Sequence, residues 1–280
     1  VLLENYKPET LKKLGYSWKN LSKKFPKLIY AKISGFGESG SLSKLPAYDI
    51  VVQAMSGIMS ITGSSKNNFS RVGTSIGDIA AGLYCAIGIL SALYNRKNSR
   101  IGSKIDISML DCQIAILENA IARYTVLKDN PIPLGTDHPS ITPFGSFKTL
   151  DEKIVIAAGN DKIFNKLCDL ISRSDLYKNK LFNNNLNRSN NINALRYEIE
   201  KSLELKKSNY WIKIFRMSGI PCSKINKISE VLKNPQLIER NMFLDYIESL
   251  NHKFKVSGNP IKIDGIKESH IARKAPSLNQ

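Results

Sequence analysis

The chain has 280 residues, of which 42% are hydrophobic, and it carries a formal net charge of +17. This length allows one large domain or two modest ones, each with a hydrophobic core. The basic residues are spread along the chain without an RNA-binding signature or a basic-aromatic repeat. That spread disfavours a nucleic-acid partner and favours a solvated basic surface, with phosphate-bearing small molecules as the next interpretation.

The four cysteines and three histidines are scattered and have no metal-binding spacing. We therefore expect no metal site, and we expect free thiols in a reducing compartment, either the cytoplasm or the mitochondrial matrix of a eukaryote. The first ten residues resemble no signal peptide. No apolar run is both long and charge-free enough to predict a membrane span, although residues 79–94 come nearest.

The first elements predict a strand that leads into a glycine-rich loop. A strand end is expected at residues 1–6, short helices at Pro8–Gly15 and Ser17–Lys24, and a strand at Lys27–Ser34. That strand enters GFGESG at Gly35–Gly40, which is formally G-x-G-x-x-G. A loop follows instead of a helix, and the acidic residue expected about 20 positions later is missing. The run predicts backbone close to a ligand, and it disfavours a nicotinamide site.

A helix is predicted at Ala47–Ile61 and a second one at Gly73–Asn95. The second is apolar on all faces, which is typical of a helix buried in a core. Its one carboxylate, Asp78, lies in the first turn. The ordinary interpretation is an N-cap that accepts from free backbone N–H groups. The alternative is a carboxylate that the same N–H groups and the helix dipole keep ionised, and that can therefore act as a nucleophile.

A strand at Lys104–Leu110 and a helix from Asp111 to about Leu127 continue an alternation that indicates an α/β sheet. Further on, a hairpin is expected around Leu150-Asp151-Glu152, and the Asn-rich run Asn183–Asn193 is expected to be exposed. The predicted division is a large α/β domain at 1–127, a proline-rich linker or loop at 128–149, a smaller α+β domain at 150–230, and a return to the large domain at 231–280.

Several stretches match one known family in the same order. They are Glu4–Gly15, Leu28–Gly40, Ala47–Gly63, Val72–Tyr84, Lys104–Asp111, Gly135–Phe144, Ala157–Asp161, Ser218–Asn226 and Asn234–Leu237. The chain resembles the family III (CaiB/BaiF-like) CoA-transferases, whose relatives include formyl-CoA transferases and α-methylacyl-CoA racemases. The resemblance implies a Rossmann-like α/β domain with an inserted α+β domain, in an interlocked homodimer. The family's first strand and helix and its final helix are missing, which predicts a fragment or a shortened product.

The resemblance also implies an activity. Family members move CoA between an acyl-CoA thioester and a free carboxylic acid through an aspartyl mixed anhydride and an aspartyl–CoA thioester. The nucleophile corresponds to Asp78, and Asp111, expected to be a helix cap, is the competing candidate. The loop that covers the intermediates corresponds to Gly135 and His138. CoA thioester is then a substrate, and no tightly bound cofactor, nucleic acid or membrane partner is expected. The implied CoA-binding residues are Asn5, Tyr6, Lys13, Ala47, Tyr48 and Asp49.

Tyr48 bears on the choice within the family, because the racemases resemble this chain but have a histidine there. Moving an α-proton requires an acid–base pair, and a phenol with a pKa near 10 replaces histidine poorly. Tyr48 therefore favours the transferase. A 2-methylacyl-CoA racemase and a non-catalytic fragment that acts only in chain association stay as alternatives.

Overall fold

The computed structural model describes residues 1–249 and 252–272. The chain divides into two compact units, Val1–Pro139 and Ser140–Gln280. In chain order, the first unit contains β1 (Leu2–Glu4), α1 (Thr10–Lys13), α2 (Trp18–Lys24), β2 (Ile29–Ser34), α3 (Asp49–Met55), β3 (Gly63–Ser65), β4 (Asn68–Phe69), α4 (Ile76–Ser99), β5 (Ser103–Ser108), α5 (Met109–Ala115) and α6 (Ala120–Leu127).

The first unit is built on a parallel sheet with strand order β1-β2-β5. Helices connect these parallel strands, so the predicted α/β class is confirmed. Ile105 faces α4, because a Cβ at Gly88 in α4 would lie 3.1 Å from Ile105 Cγ2. On the opposite face, Trp18 of α2 stacks on Tyr30, with ring centroids 6.0 Å apart. Where the chain enters β5, only a glycine fits at position 102, since a side chain there would overlap the Leu28 carbonyl.

Three element boundaries differ from the sequence prediction. The helix expected at Ala47–Ile61 ends at Met55, because Gly57 takes a left-handed φ of 87° before a 3₁₀ turn. The strand expected to reach Leu110 ends at Ser108, whose hydroxyl accepts from the Asp111 N–H at 3.1 Å. Ser108, not Asp111, is therefore the N-cap. The long helix that follows is two helices, α5 and α6, separated near Glu118, which has a φ of 54°.

The prediction that α4 is buried on all faces is wrong for this chain alone. Its buried residues are small: Gly77, Ala80, Ala81 and Cys85. The larger apolar side chains on the side away from the sheet are exposed, notably Leu83, Ile87, Leu90 and Tyr94. By length and composition, α4 could also cross a membrane, contrary to the sequence expectation. Its packing against β2 and β5 is that of a helix covering a sheet.

The second unit contains β6 (Phe144–Lys148), β7 (Lys153–Ala157), α7 (Asp161–Leu170), α8 (Asp175–Lys178), α9 (Asn185–Asn190), α10 (Ile192–Leu203), α11 (Ser208–Met217), β8 (Cys222–Lys224), α12 (Ile228–Val231), α13 (Pro235–Glu239), β9 (Phe243–Ser249) and β10 (His252–Ser257). Strands β6, β7 and β8 form one antiparallel sheet, which confirms the predicted hairpin, and β9 pairs with β10. The main core includes Phe147, Phe164, Leu195, Trp211 and Phe215.

Arg188 is the largest fully buried side chain in the second unit's core region. It donates to the Thr142 and Phe182 carbonyls at 2.6 and 3.1 Å, and to Asp161 Oδ1 at 2.6 Å. Its guanidinium lies 4.5 Å from the centroid of the Phe164 ring. The Asn-rich run predicted to be exposed therefore supplies a buried residue, because Arg188 lies within it on α9.

The domain boundaries drawn from the sequence stay predictions. Strand β6 lies inside the segment 128–149 predicted to be a linker, and it pairs with β7 of the second unit. Residues 231–280 are grouped with the second unit, and their return to the large domain stays a prediction.

Candidate active site

Asp78 lies in the first turn of α4, whose N-cap position is occupied by Ser75. The interpretation of Asp78 as the N-cap residue is therefore wrong, because Asp78 lies inside the first turn, after the N-cap. Helix α4 ends just before β5 begins, so the start of α4 is on the side of the carboxyl ends of the parallel strands. Ligands of open α/β sheets bind on that side. The Asp78 side chain is exposed, and it accepts no hydrogen bond from the residues that the structure describes.

Two buried side chains of α3 hold the segment that leads into Asp78. Asp49 Oδ1 accepts from the Gly77 N–H at 2.8 Å, and Asp49 Oδ2 accepts from Gln53 Nε2 at 2.7 Å. Gln53 Oε1 in turn accepts from the Val72 N–H at 2.9 Å. Asp49 and Gln53 are one helical turn apart, so their side chains share one face of α3. Together they restrain both ends of the segment 72–77.

Although the Asp78 side chain is exposed, partial desolvation by the surrounding protein raises the pKa of its carboxyl above the usual range, and the negative charge of Asp49 raises it further. The sequence predicted the opposite effect, namely that the N–H groups and dipole of α4 keep Asp78 ionised. The difference has a structural cause. The Gly77 N–H, one of the free donors of this helix start, is taken by Asp49, which also adds a like charge near Asp78.

Gly77 is required by the packing around the start of α4. A Cβ at this position would lie 2.7 Å from Gln113 Nε2 and 3.0 Å from both Asp49 Oδ1 and Val52 Cγ2. Gln113 is fully buried, and neither polar atom of its amide has a hydrogen-bond partner among the described residues. Gly77, Gln53 and Gln113 were not predicted from the sequence. The available signal was a lone glutamine inside each of two apolar helical runs, DIVVQAM and MLDCQIA.

The structure brings Asp49 close to Asp78, because the helices α3 and α4 pack against each other and Asp49 bonds the Gly77 N–H. Tyr48 is the N-cap residue of α3, and its side chain is 80% exposed. Ala47 is half-buried beneath the glycine-rich loop, where its Cβ excludes any side chain at Gly35. These residues stay predicted CoA contacts. Both carboxylate oxygens of Asp49 are already engaged with protein donors.

The other predicted CoA-binding residues lie at the end of β1 and in α1. Asn5, Tyr6 and Lys13 are all exposed, and the Tyr6 N–H donates to the buried Glu4 carboxylate at 2.7 Å. A polar cleft of about 340 Å³ lies beside them and includes Trp18 and four lysines: Lys12, Lys32, Lys44 and Lys104. None of Asn5, Tyr6, Lys13 and Asp78 lines this cleft. Their common role in binding CoA stays a prediction.

The glycine-rich loop is fixed by protein groups. The Gly37 N–H donates to Ser34 Oγ and the Glu38 N–H to Asp106 Oδ2, both at 2.9 Å. The Glu38 carboxylate pairs with Lys32 at 3.3 Å and with Lys104. These loop N–H groups therefore have acceptors within the chain, and no helix opens after the last glycine before α3.

The predicted covering loop is bonded to the first unit at Gly135. The Gly135 N–H donates to the Gly63 carbonyl at 2.9 Å, which ties the loop to the start of β3, and Gly135 has a φ of 63°. His138 is half-buried, and its covering role stays a prediction. Within residues 1–249 and 252–272, no group of three or more His, Cys, Asp or Glu side chains could hold a metal ion.

The family described as CoA-transferase family III matches residues 1–280 of the chain. The chain belongs to CoA-transferase family III. It is 37% identical over 281 residues to the acetyl-CoA:oxalate CoA-transferase of Acetobacter aceti, covering 100% of this chain and 71% of that protein. It is 31% identical over 280 residues to the human succinyl-CoA:glutarate CoA-transferase, covering 100% of this chain and 64% of that protein.

The fold of this family III chain also matches a crystal structure of a CaiB/BaiF family protein from Brucella suis. The TM-score is 0.84 and the identity 31%, over 99% of this chain and 72% of that one. The family predicted from the ordered motifs and its mixed α/β fold are thus confirmed. The chain spans between 64% and 72% of the lengths of these three proteins.

Proposed function

We propose that this chain transfers CoA between an acyl-CoA thioester and a free carboxylic acid, with Asp78 as the nucleophile. The observation that carries the proposal is the environment of Asp78. Its carboxylate is accessible at the start of α4, accepts no hydrogen bond from the described residues, and has a raised pKa. A carboxylate of raised basicity that stays ionised at the working pH is a stronger nucleophile than an ordinary one.

The reaction proceeds by two acyl exchanges on Asp78. A carboxylate oxygen attacks the thioester carbonyl carbon, the C–S bond breaks, and CoA leaves as the thiolate, giving a mixed anhydride. The thiolate then attacks the Asp78 carbonyl carbon, which releases the donor carboxylate and leaves an Asp78–CoA thioester. The acceptor carboxylate reverses both steps and restores Asp78. Each addition forms an oxyanion, which backbone N–H groups at the start of α4 stabilise.

The decisive experiment traps the acyl-enzyme. The chain is incubated with acetyl-CoA or succinyl-CoA and then with hydroxylamine, and the site of modification is located by mass spectrometry. We expect a hydroxamate at Asp78, and no adduct in Asp78→Asn. The matched control is Asp111→Asn, because Asp111 occupies the equivalent first-turn position of α5. An adduct that survives in Asp78→Asn and disappears in Asp111→Asn would refute Asp78 as the nucleophile.

The acceptor is proposed to be a dicarboxylic acid. Two of the curated relatives are named for oxalate and glutarate, which are both dicarboxylates. The net charge of +17 attracts anionic substrates to the chain. Transfer assays with oxalate, glutarate and acetate as acceptors test the proposal, because acetate used as well as both dicarboxylates would contradict it.

The racemase alternative predicts exchange of the α-proton of a 2-methylacyl-CoA with deuterated water. We expect no exchange, since Tyr48 is an exposed phenol at the position where racemases have histidine. The non-catalytic alternative predicts that calorimetry detects no CoA binding by the chain. The proposed reaction belongs in a reducing compartment, the cytoplasm or the mitochondrial matrix, and all four cysteines are free thiols.

The proposal includes a homodimer. Leu83, Ile87, Leu90 and Tyr94 follow one side of α4, and each is more than half exposed. A continuous apolar stripe of this kind is typical of a protein–protein interface. The test is the mass in solution measured by light scattering. The double substitution Leu83→Lys and Leu90→Lys should give monomers, while Leu186→Lys on α9, an equally exposed leucine, should leave the mass unchanged. Dimers of unchanged stability in the α4 variant would contradict this part of the proposal.

A further inference from the structure

Gln113 is the one side chain of the first unit's described residues whose polar atoms are buried and unpaired. It lies on α5 and is fully buried. Burying an amide without hydrogen bonds reduces stability, and an apolar residue of the same shape would avoid this cost. A feature that reduces stability at a site of chemistry is consistent with a functional role.

The Gln113 amide is directed at the first turn of α4. Its Nε2 atom and Asp49 Oδ1 both lie within 3.0 Å of a single point, the position that a Cβ of Gly77 would occupy. Because residue 77 is glycine, it has no side chain between Gln113 Nε2 and Asp49 Oδ1. In the structure, however, Asp49 Oδ1 accepts from the Gly77 N–H instead.

An exchange of donors would connect this arrangement to the chemistry. While the Gly77 N–H is bonded to Asp49, it cannot stabilise an oxyanion that forms on the Asp78 carbonyl. If Gln113 Nε2 donates to Asp49 Oδ1 in its place, Asp49 keeps two donors and the Gly77 N–H becomes free. The number of hydrogen bonds to Asp49 is then conserved, and no proton changes its atom.

We propose that Gln113 is a positioning residue that replaces the Gly77 N–H on Asp49 Oδ1 and so frees that N–H for the oxyanion formed at Asp78. The inference rests on the proposed function, since it assumes that Asp78 is acylated. It adds a role for a residue that touches neither substrate nor the Asp78 carboxylate.

The test compares two Gln→Met substitutions, which keep the length of the side chain and remove its amide. In Gln113→Met, we expect formation of the Asp78–CoA thioester in a single turnover to slow by about 10²-fold, the usual effect of losing one oxyanion donor, because the oxyanion on Asp78 forms when the CoA thiolate attacks its carbonyl carbon. KM should change little, and the melting temperature should equal or exceed that of the unmodified chain. In Gln53→Met, the melting temperature should fall, because Asp49 and the Val72 N–H both lose a partner.

The outcomes separate the two proposals. If the unmodified chain forms no adduct at Asp78, the proposed function fails, and the donor exchange, which assumes it, fails with it. If the adduct forms and Gln113→Met gives the Asp78–CoA thioester within about twofold of the unmodified rate, the donor exchange is refuted. A loss of melting temperature as large as that of Gln53→Met would also refute it, by showing a purely structural role. Gln113→Leu carries the same expectations should the Met variant be insoluble.

Discussion

Two glycines of α4 provide a test of the packing that holds Asp78. Gly77 and Gly82 lie in the same helix, and each is replaced by alanine. At Gly82, nothing lies within 4 Å of the added Cβ, so alanine should gain only from its better helix propensity and its stiffer unfolded chain. That gain is about 0.5–1 kcal/mol.

At Gly77 the same gain is opposed by the neighbours of the new methyl group. Its Cβ would lie 2.7 Å from Gln113 Nε2 and 3.0 Å from Asp49 Oδ1, so both atoms would have to move away. Overpacking costs about 1–3 kcal/mol. Weakening the hydrogen bond from the Gly77 N–H to a charged acceptor costs about 1.5–3 kcal/mol more if it is lost completely. We therefore expect Gly77→Ala to destabilise by about 1–4 kcal/mol.

The assay is urea unfolding followed by circular dichroism, with the midpoints compared at equal slope. Gly82→Ala should raise the midpoint, and Gly77→Ala should lower it. If both substitutions raise the midpoint by the same amount, the start of α4 is not packed as described, and the role assigned to Gly77 is wrong. A change of slope would show that the substitution alters the unfolding reaction itself, so the comparison requires the slope to be constant.

Three further predictions concern single side chains. Asp78→Asn should raise the melting temperature at pH 7 more than at pH 3. The pKa of Asp78 is raised by folding, so ionisation of this carboxyl destabilises the folded chain as the pH rises through that pKa. Asparagine removes this charge, and it has little effect at pH 3, where the carboxyl is protonated. Tyr30→Phe should cost about 1.5–3 kcal/mol in urea unfolding, since the buried hydroxyl donates to Glu4 at 2.8 Å. Arg188→Met should cost about 2–5 kcal/mol because two buried carbonyls lose their donor, whereas Asp161→Asn should cost no more than about 1 kcal/mol because Asp161 is exposed.

Each of these has a contrary result. An Asp78→Asn effect that is larger at pH 3 than at pH 7 would show that the pKa of Asp78 is lowered by folding. A neutral Tyr30→Phe would show that Glu4 is satisfied by its other donors. If Asp161→Asn is as damaging as Arg188→Met, the ion pair, and not the two carbonyls, is the main function of Arg188.

The elements that follow from local patterns could be predicted from the sequence. The alternation in Lys27–Ser34 and the turn at Leu150-Asp151-Glu152 each define a strand or a hairpin without reference to distant residues. The family also follows from ordered motifs, and the place of Asp78 in the first turn of a helix follows from the local apolar pattern. Helix breaks were missed where a single residue takes a left-handed φ, as at Gly57 and Glu118, because the apolar pattern continues across both.

Properties that depend on distant neighbours could not be predicted. The composition of α4 shows that its side chains prefer burial, but it does not show which of them this chain covers, and Leu83 and Leu90 are exposed here. The raised pKa of Asp78 depends on desolvation by the surrounding protein and on the charge of Asp49, which lies on another helix. The pairing of Gln53 with Val72, and the absence of a partner for the Gln113 amide among the described residues, likewise arise only when α3, α4 and α5 pack together.

The contact between Gly102 and the Leu28 carbonyl also determines the register of the central strand pair. The pairing matches Ala31 with Ile105 and Lys32 with Asp106. A slip by one residue would turn Lys104 and Asp106 under α4, and it would remove the acceptor that Asp106 offers to the Glu38 N–H. A side chain at position 102 would prevent the close approach of the two chains where the pairing begins. The correct orientation of the glycine-rich loop therefore depends on a glycine at the opposite end of the sheet.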